Sequence, residues 1–436
     1  MQRLKIGVVG SGISGLSAAW LLSKSHKVTV FEADRRLGGH AHTEMIDKTP
    51  VDVGFIVFNE KTYPNFSALL RHLNVATHET EMGFGVSLNG GAIEYAGTNL
   101  RQLAGSPRAA LSRSHWAMVA DIARFYRTAK SLAQGIDDTV SLGQFLRQNK
   151  FSQAFTERHL IPMAAAIWSS HPGHMKDYPA KSFIRFFDNH QLLNLGARDK
   201  WRSVAGGSKN YVAKLLESDM KVRLGDAVTS VRRSREGVTI KCASGQEATF
   251  DEVVMATHAD QTLKLLDRPN DDEINLLSPF KYSNNQVVLH RDPSLMPKRK
   301  AYWSSWNYIG DLGANHCGVT YWMNKLQGLD TKTNHFVSLN PVHMPKHELI
   351  DLNFACTHPI FDCHTLKAQR ELWSLQGQNR IWFCGAYFGA GFHEDGLQAG
   401  LAVAEQLGGV ARPWTVTNPS GRITIQEEMP TLMAAE

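Results

Sequence analysis

Cysteine is scarce in this chain: five residues among 436, at positions 242, 317, 356, 363 and 384, an odd number with no pair at C-x-x-C spacing. Such a set provides neither a disulfide framework nor a zinc ribbon, and a reducing cytoplasm is the expected compartment. No stretch reaches the roughly 18 uninterrupted apolar residues that a spanning helix requires. The most apolar segment near the start, residues 6–22, is broken by Gly10, Gly12, Gly15 and several serines. No small-residue cleavage site follows it, so a signal peptide is not expected. Internal repeats, low-complexity tracts and H-E-x-x-H are also missing, and the histidines at 171, 174 and 358–364 stand without paired cysteines, so no metal is expected. Positive charge is present but thin: a net +6 and a pI near 9.0, spread over the whole chain. With no motif beside it, that charge gives no reason to expect a nucleic-acid partner.

What is present is ordinary globular composition, 43% hydrophobic and 20% charged, at a length that suits two or three domains. Residues 4–9 read as a buried parallel strand, followed by Gly10-Ser11-Gly12-Ile13-Ser14-Gly15, a helical stretch, and a second strand over 28–31 ending at Glu32. This is a dinucleotide-binding βαβ unit. The first glycine allows the tight turn, the second lets a pyrophosphate approach the backbone, and the third lets the helix pack on the strand. The helix start faces the phosphates, and Glu32 is placed to accept hydrogen bonds from the adenosine ribose, which disfavours a 2′-phosphate.

The continuation, Arg36-Leu37-Gly38-Gly39-His40-Ala41-His42-Thr43, is more than a simple NAD domain needs. With it the chain resembles the FAD-dependent amine oxidase and phytoene desaturase superfamily, and Asp52-Val53-Gly54 is similar to the acidic strand that follows there. Residues 380–400 (RIWFCGAYFGAGFHEDGLQAG) resemble the C-terminal flavin motif of the same superfamily, with a helix expected to begin near Gly396. The resemblance implies an α/β fold, a Rossmann-like FAD-binding domain with a central parallel sheet interleaved with an α+β substrate domain. It divides the chain into 1–75, 196–265 and 345–412 for FAD and 76–195 and 266–344 for substrate, with 413–436 trailing as an extension. It implies one non-covalently bound FAD, held by Gly10, Gly12, Ile13, Ser14, Gly15, Glu32, Arg36, Gly38, Gly39, His40 and Thr43. From the far end Gly385 and Ala386 would approach the pyrophosphate or ribityl chain, Gly396, Leu397 and Gln398 would turn free amides toward the flavin O2, and the backbone at Val228 would contact the adenine. His40 stands where amine oxidases often carry arginine. Cys384 reads as a buried small apolar residue rather than a flavin linkage.

A narrower resemblance rests on the runs at 187–193, 303–308, 320–324, 338–341 and 391–396. These are similar to a bacterial subgroup of FAD oxidoreductases encoded beside cyclopropane-fatty-acid synthase-like methyltransferases, which implies a fatty-acyl substrate and a lipid methyltransferase as a possible partner. Residues 100–134 read as helical and carry Arg101, Arg108, Arg113, Arg124, Arg127 and Lys130 against the single acid Asp121. Such a surface could rest on an anionic membrane face from the cytoplasmic side, or be an ordinary solvated face. Trp303, Trp306, Tyr308, Tyr321 and Trp322 read either as the lining of an apolar pocket or as packed sheet. Dehydrogenating an acyl chain needs a proton acceptor, and His393 and Glu394, just ahead of the expected helix, are the candidates, with helix and loop organisation as their other reading. The alternatives to an acyl dehydrogenase are a flavin amine oxidase, with Lys325 as a candidate water-holding lysine, and a non-catalytic flavoprotein assisting a lipid-modifying partner.

Overall fold

Apolar residues without alternation build the first layer. A computed structural model describes residues 3–168, 172–193, 199–313 and 317–425; His171 and the final residues of the expected extension lie outside them. Five short strands, in the order Met220–Leu224, Lys27–Glu32, Lys5–Val9, Glu252–Met255 and Ile381–Phe383, pair in parallel throughout. Ile6, Val8, Val253, Val254, Met255, Ile381 and Phe383 are each 0% exposed, as expected of a parallel sheet covered on both faces. The crossover from Lys5–Val9 to Lys27–Glu32 is the helix Ile13–Leu22, all ten residues of which are buried.

That helix has no solvent face because a second helix, His393–Gln406, lies against it. A Cβ at Gly396 would come within 2.7 Å of the Ser14 hydroxyl, and one at Gly400 within 2.2 Å of the Ser14 carbonyl oxygen. Glycine at these two positions lets the helices touch. The His393–Gln406 helix is called the closing helix below.

A seven-stranded sheet forms the second layer, in the order Ile350–Ile360, Lys281–His290, Phe336–Leu339, Cys317–Trp322, Trp306–Gly310, Phe84–Leu88 and Ile93–Ala96. All neighbours are antiparallel except Trp306–Gly310 with Phe84–Leu88. Ile350–Ile360, expected within 345–412 on the side of the parallel sheet, pairs instead with Lys281–His290 in this second sheet. Most of its side chains are half-buried and polar residues interrupt it, so no alternating pattern marks it in the sequence. The aromatic run from Trp303 to Trp322 is sheet packing: Trp303 meets Trp322 and Phe336 edge-on at 5.4 and 5.9 Å, and Trp306 meets Tyr321 at 5.1 Å.

Two further expectations change. Residues 222–231, which read in sequence as a single strand-like run, are two strands in different sheets, Met220–Leu224 and Val228–Ser234, separated at Gly225, whose φ of +73° turns the chain. The helical stretch 100–134 is three helices, Leu100–Ala104, Pro107–Ala110 and Arg113–Leu132. Gly105, at φ +80°, and Pro107 end the first and start the second. Among the described residues no helix is long and apolar enough to cross a membrane.

Candidate functional site

The glycine turn after Lys5–Val9 has two closed positions and one open one. A Cβ on Gly10, which sits at φ +103°, would lie 2.8 Å from the Ala256 carbonyl oxygen, and a Cβ on Gly15 would lie 2.0 Å from that of Gly10. A Cβ on Gly12 would meet no atom within 4 Å. Gly12 also caps the Ile13–Leu22 helix, whose first turn has no acidic residue and no side-chain cap. Bare helix-start amides beside an open space suit an anion, so the residues fit the pyrophosphate of a dinucleotide. Glu32 is fixed at the end of its strand: its carboxylate accepts from the Ser11 amide at 3.0 Å, the Ser11 hydroxyl at 2.5 Å and the Asp34 amide at 2.9 Å.

The second glycine pair closes on the first. A Cβ on Gly39 would be 2.9 Å from the Gly12 Cα, the Gly38 amide donates to the Ser11 carbonyl at 3.1 Å, and Arg36 Nη1 donates to the Gly39 carbonyl at 2.7 Å. Thr43 is engaged elsewhere. Its hydroxyl donates to Asp52 at 2.5 Å and accepts from the Lys209 amide at 3.0 Å. Asp52 also accepts from the Ser208 amide and hydroxyl and from Gln327, so it ties this hairpin to the start of the Lys209–Leu216 helix and to the turn that carries Gln327. Burial outweighs those donors and pushes the Asp52 carboxyl up to about 6. Val228 opens the three-stranded meander, paired with Cys242.

From the other end, Cys384 is fully buried and its amide donates to the Met255 carbonyl at 3.0 Å. Gly385 follows in an extended conformation, and Ala386 comes beside Gly396, which itself abuts Ile13 and Ser14. Residues from both ends of the sequence therefore meet at one place. The closing helix, however, starts at His393, three residues before the expected Gly396. Leu397 and Gln398 are buried in its second turn, where backbone amides bond the preceding turn, and the first-turn amides are those of His393 and Glu394.

Three side chains open this helix. His393 Nε2 lies 2.7 Å from the Tyr211 hydroxyl, and its ring stacks on Phe55 at 3.8 Å. Burial, with His40 nearby, lowers its pKa to about 3, so the imidazole is neutral. Glu394 is 0% exposed and accepts from the Asn65 amide and side chain, the Phe66 amide and Gln398, at 2.9–3.0 Å. It thereby caps the Pro64–His72 helix, whose own N-cap residue, Tyr63, gives no side-chain bond. Asp395, also 0% exposed, accepts from the Phe392 amide at 2.7 Å and from Arg422 Nε at 2.5 Å. Burial pushes both carboxyls up, against their hydrogen bonds and the Arg422 charge.

Arg422 belongs to the segment expected to trail away. Residues 413–425 instead pack back on the fold: Trp414 stacks on Trp20 at 5.9 Å and donates to Asn65, and Arg422 also donates to the Thr62 carbonyl at 2.8 Å. A cleft next to this clamp is lined by Asn59, Met82, His190, Leu192 and Trp201, and His190 Nε2 is 3.5 Å from Arg422 Nη1.

One group of residues has no counterpart in the sequence reading. The ring of His40 lies 5.4 Å from that of His358 and 6.0 Å from that of His258. Burial lowers all three, His258 to about 4 and His358 to about 3. The His40 side chain is nonetheless open to solvent at one edge of the group. The tautomer of His358 follows from a chain of donors. The Gln286 amide donates to Asn340 Oδ1, Asn340 Nδ2 to Asn285 Oδ1, and Asn285 Nδ2 to His358 Nδ1 at 2.9 Å. Neutral His358 therefore carries its proton on Nε2. Cys356 is within reach of both His40 and His358, but burial pushes its thiol up to about 11 and Asn285 occupies His358 Nδ1. These three thus sit as a neutral, hydrogen-bonded wall. Lys325 is remote in character from this wall, paired with Glu81 at 2.9 Å.

The model of the family described as flavin containing amine oxidoreductase matches residues 13–328. A protein of Mycobacterium tuberculosis named as a flavin-containing monoamine oxidase is 28% identical over 260 residues, 56% of this chain and 55% of the relative, so the chain spans about half the length of that curated relative. Among solved structures, putrescine oxidase bound to putrescine aligns with a TM-score of 0.67 at 15% identity, over 93% of this chain and 99% of the other. A CLA-producing fatty acid isomerase from P. acnes aligns with a TM-score of 0.65 at 14% identity, over 93% and 98%. At these identities the structural likeness is one of fold.

Proposed function

Because the chain belongs to the flavin containing amine oxidoreductase family, we propose that it is an FAD-dependent oxidoreductase that takes hydride from a hydrophobic substrate, a fatty-acyl chain. The observation that carries this reading is the state of the titratable groups in the imidazole wall and at the start of the closing helix. His40, His258, His358 and His393 are all held neutral by burial, Asp395 is paired with Arg422, and Glu394 is filled by helix amides. Among these described residues no carboxylate is left free, which favours an uncharged, apolar substrate over a cation.

When bound, FAD supplies the hydride acceptor. The bare start of Ile13–Leu22 would hold its pyrophosphate and Glu32 its ribose, and the first-turn amides of His393 and Glu394 would be available to the negative charge that collects on the reduced flavin. His393 is the proton acceptor of the reading, oriented by Tyr211 and Phe55, and Glu394 holds the helix start that carries it. Since the imidazole is neutral down to about pH 3, the rate of reduction is expected to be flat between pH 5 and 8.

The test is anaerobic reduction of the holoprotein, followed by flavin absorbance, with free fatty acids, acyl thioesters, methylated phospholipids and amines added in turn. Bleaching by an acyl compound is expected, and His393→Ala should slow it by roughly 10²–10⁴-fold while Glu394→Gln slows it far less. The relatives named as monoamine and polyamine oxidases favour a second reading, oxidation of an amine, and bleaching by amines alone would select it. Bleaching by methylated acyl chains in preference to unmethylated ones would place a lipid methyltransferase immediately upstream. No bleaching by any of them would leave a flavoprotein that assists a partner.

A further inference from the structure

Between Glu94 and Asp121 the chain has no aspartate or glutamate. Within that interval Leu111 and Leu100 are the two most exposed large hydrophobic side chains among the described residues, at 89% and 85%, and Trp116 is next at 49%. Arg101, Arg108 and Arg113 are exposed beside them and have no acidic partner among the described residues. Nothing in the packing requires these six side chains to point outward from floppy chain, because the segment is fastened from beneath. The Ser106 amide donates to the Glu94 carbonyl at 2.7 Å, His115 Nε2 bonds the Leu103 carbonyl at 2.9 Å, and Ala109 and Met118 are 2% and 0% exposed. Even Trp116 is fixed, its indole N–H bonded to the Ala110 carbonyl at 2.8 Å. Its polar edge is satisfied within the segment.

The rest of the basic stretch behaves differently. Arg124 pairs with Asp121, donates to the carbonyls of Asn149 and Lys150, and lies over the Phe151 ring at 3.9 Å; Lys130 pairs with Asp188 at 2.7 Å. These cations hold the fold together. Arg127 has no acidic partner among the described residues and bonds the Ala123 carbonyl of its own helix at 3.0 Å, but it is from Leu100 to Trp116 that such cations stand beside the most exposed apolar side chains on a rigid base.

We propose that this platform seats the protein on an anionic lipid bilayer, with Leu100, Leu111 and Trp116 in the boundary of the acyl region and Arg101, Arg108 and Arg113 among the headgroup phosphates. Apolar burial and attraction to negative headgroups then act at the same spot. The absence of any acid from the platform is the complement of a negatively charged surface, and the short helices on either side of Gly105 present the two leucines from separate turns. The proposal deepens the acyl-chain reading by placing a lipid surface against the substrate-side domain, but it is tested without turnover, so the two can fail separately.

The holoprotein is sedimented with vesicles of phosphatidylcholine alone and of phosphatidylcholine with phosphatidylglycerol. Partition onto the anionic vesicles is expected, weakening as salt is raised, with FAD absorbance unchanged on the bound protein. Leu111→Glu should lower that partition at least about tenfold, and Arg101→Ser with Arg108→Ser should reduce both the partition and its salt dependence. Equal binding to the two vesicle types, or wild-type partition by both variants, overturns the proposal. So does a dimer in solution that Leu111→Glu converts to monomer, since the patch would then be covered by a second copy of the chain.

Discussion

The helix Ile13–Leu22 and the closing helix His393–Gln406 lie side by side with their starting turns together, and those turns carry opposite equipment. The first has a glycine cap, no acid, and open space above Gly12. The second begins with a neutral imidazole and two buried carboxylates, one answered by Arg422 and the other by the start of the Pro64–His72 helix. Each helix start carries about half a positive charge. Where that charge is left bare, an anion such as pyrophosphate can use it; where the protein has compensated it internally, the turn offers backbone donors without a strong net field. One structural motif thus appears in two electrostatic forms, side by side.

The comparison breaks most completely at Gly12. Gly12→Leu fills the one open position of the turn, and the purified variant is expected to keep its circular dichroism while losing FAD, with binding at least about 100-fold weaker and no yellow flavin released by acid. Retained flavin would mean that the open space is not where phosphate sits. At the other helix, Arg422→Ala leaves Asp395 buried without its partner and should cost about 3–5 kcal/mol in denaturant unfolding. Arg422→Met combined with Asp395→Asn should recover much of that loss, because the unpaired charge is gone. A cost below about 1 kcal/mol for Arg422→Ala would show that the closing helix start is not held by this clamp.

A third helix start sharpens the contrast. Asp52 answers the amide of Ser208 at the start of Lys209–Leu216, yet its pKa is raised to about 6. The folded chain therefore holds this proton more tightly than the unfolded chain, and stability falls as pH rises from about 4 to about 6, then levels off. The contribution is about 3 kcal/mol. Asp52→Asn should remove that part of the slope, measured as the difference in unfolding free energy between wild type and variant across the window. Buried neutral histidines act in the opposite sense: His190, His358 and His393, lowered to about 3, add stability that is lost as pH falls below about 6.5. An unchanged slope in Asp52→Asn would remove the carboxylate from this balance.

The glycine turn was legible because its constraints are local. Gly10 and Gly15 answer to contacts within the strand-turn-helix itself, and Glu32 follows from strand length. The start of the closing helix was displaced because Asp395-Gly396 looks like a cap and an entry, whereas Asp395 is three residues inside and bonds back to the Phe392 amide. The imidazole wall had no local signal at all: His40, His258 and His358 come from three distant segments and meet only when the two sheets close. Arg422 was hidden for a similar reason, since the polar, proline- and glycine-containing run around it reads as loose chain until its partner, Asp395, is placed. Glu394 was noticed for its chemistry, but its partners in the Pro64–His72 helix lie far away in sequence, and they decide what it does.

The layered order of the parallel sheet also has a consequence in time. Ile13–Leu22 is apolar on every side, and its cover, the closing helix, is made only after more than 370 further residues. At ~5–20 residues per second, ribosomes take on the order of 20 to 80 s to synthesise that interval. For that period the nascent chain carries an uncovered apolar helix and a sheet still waiting for Ile381–Phe383, and the place where the two ends of the chain meet is complete only once the far end has been made.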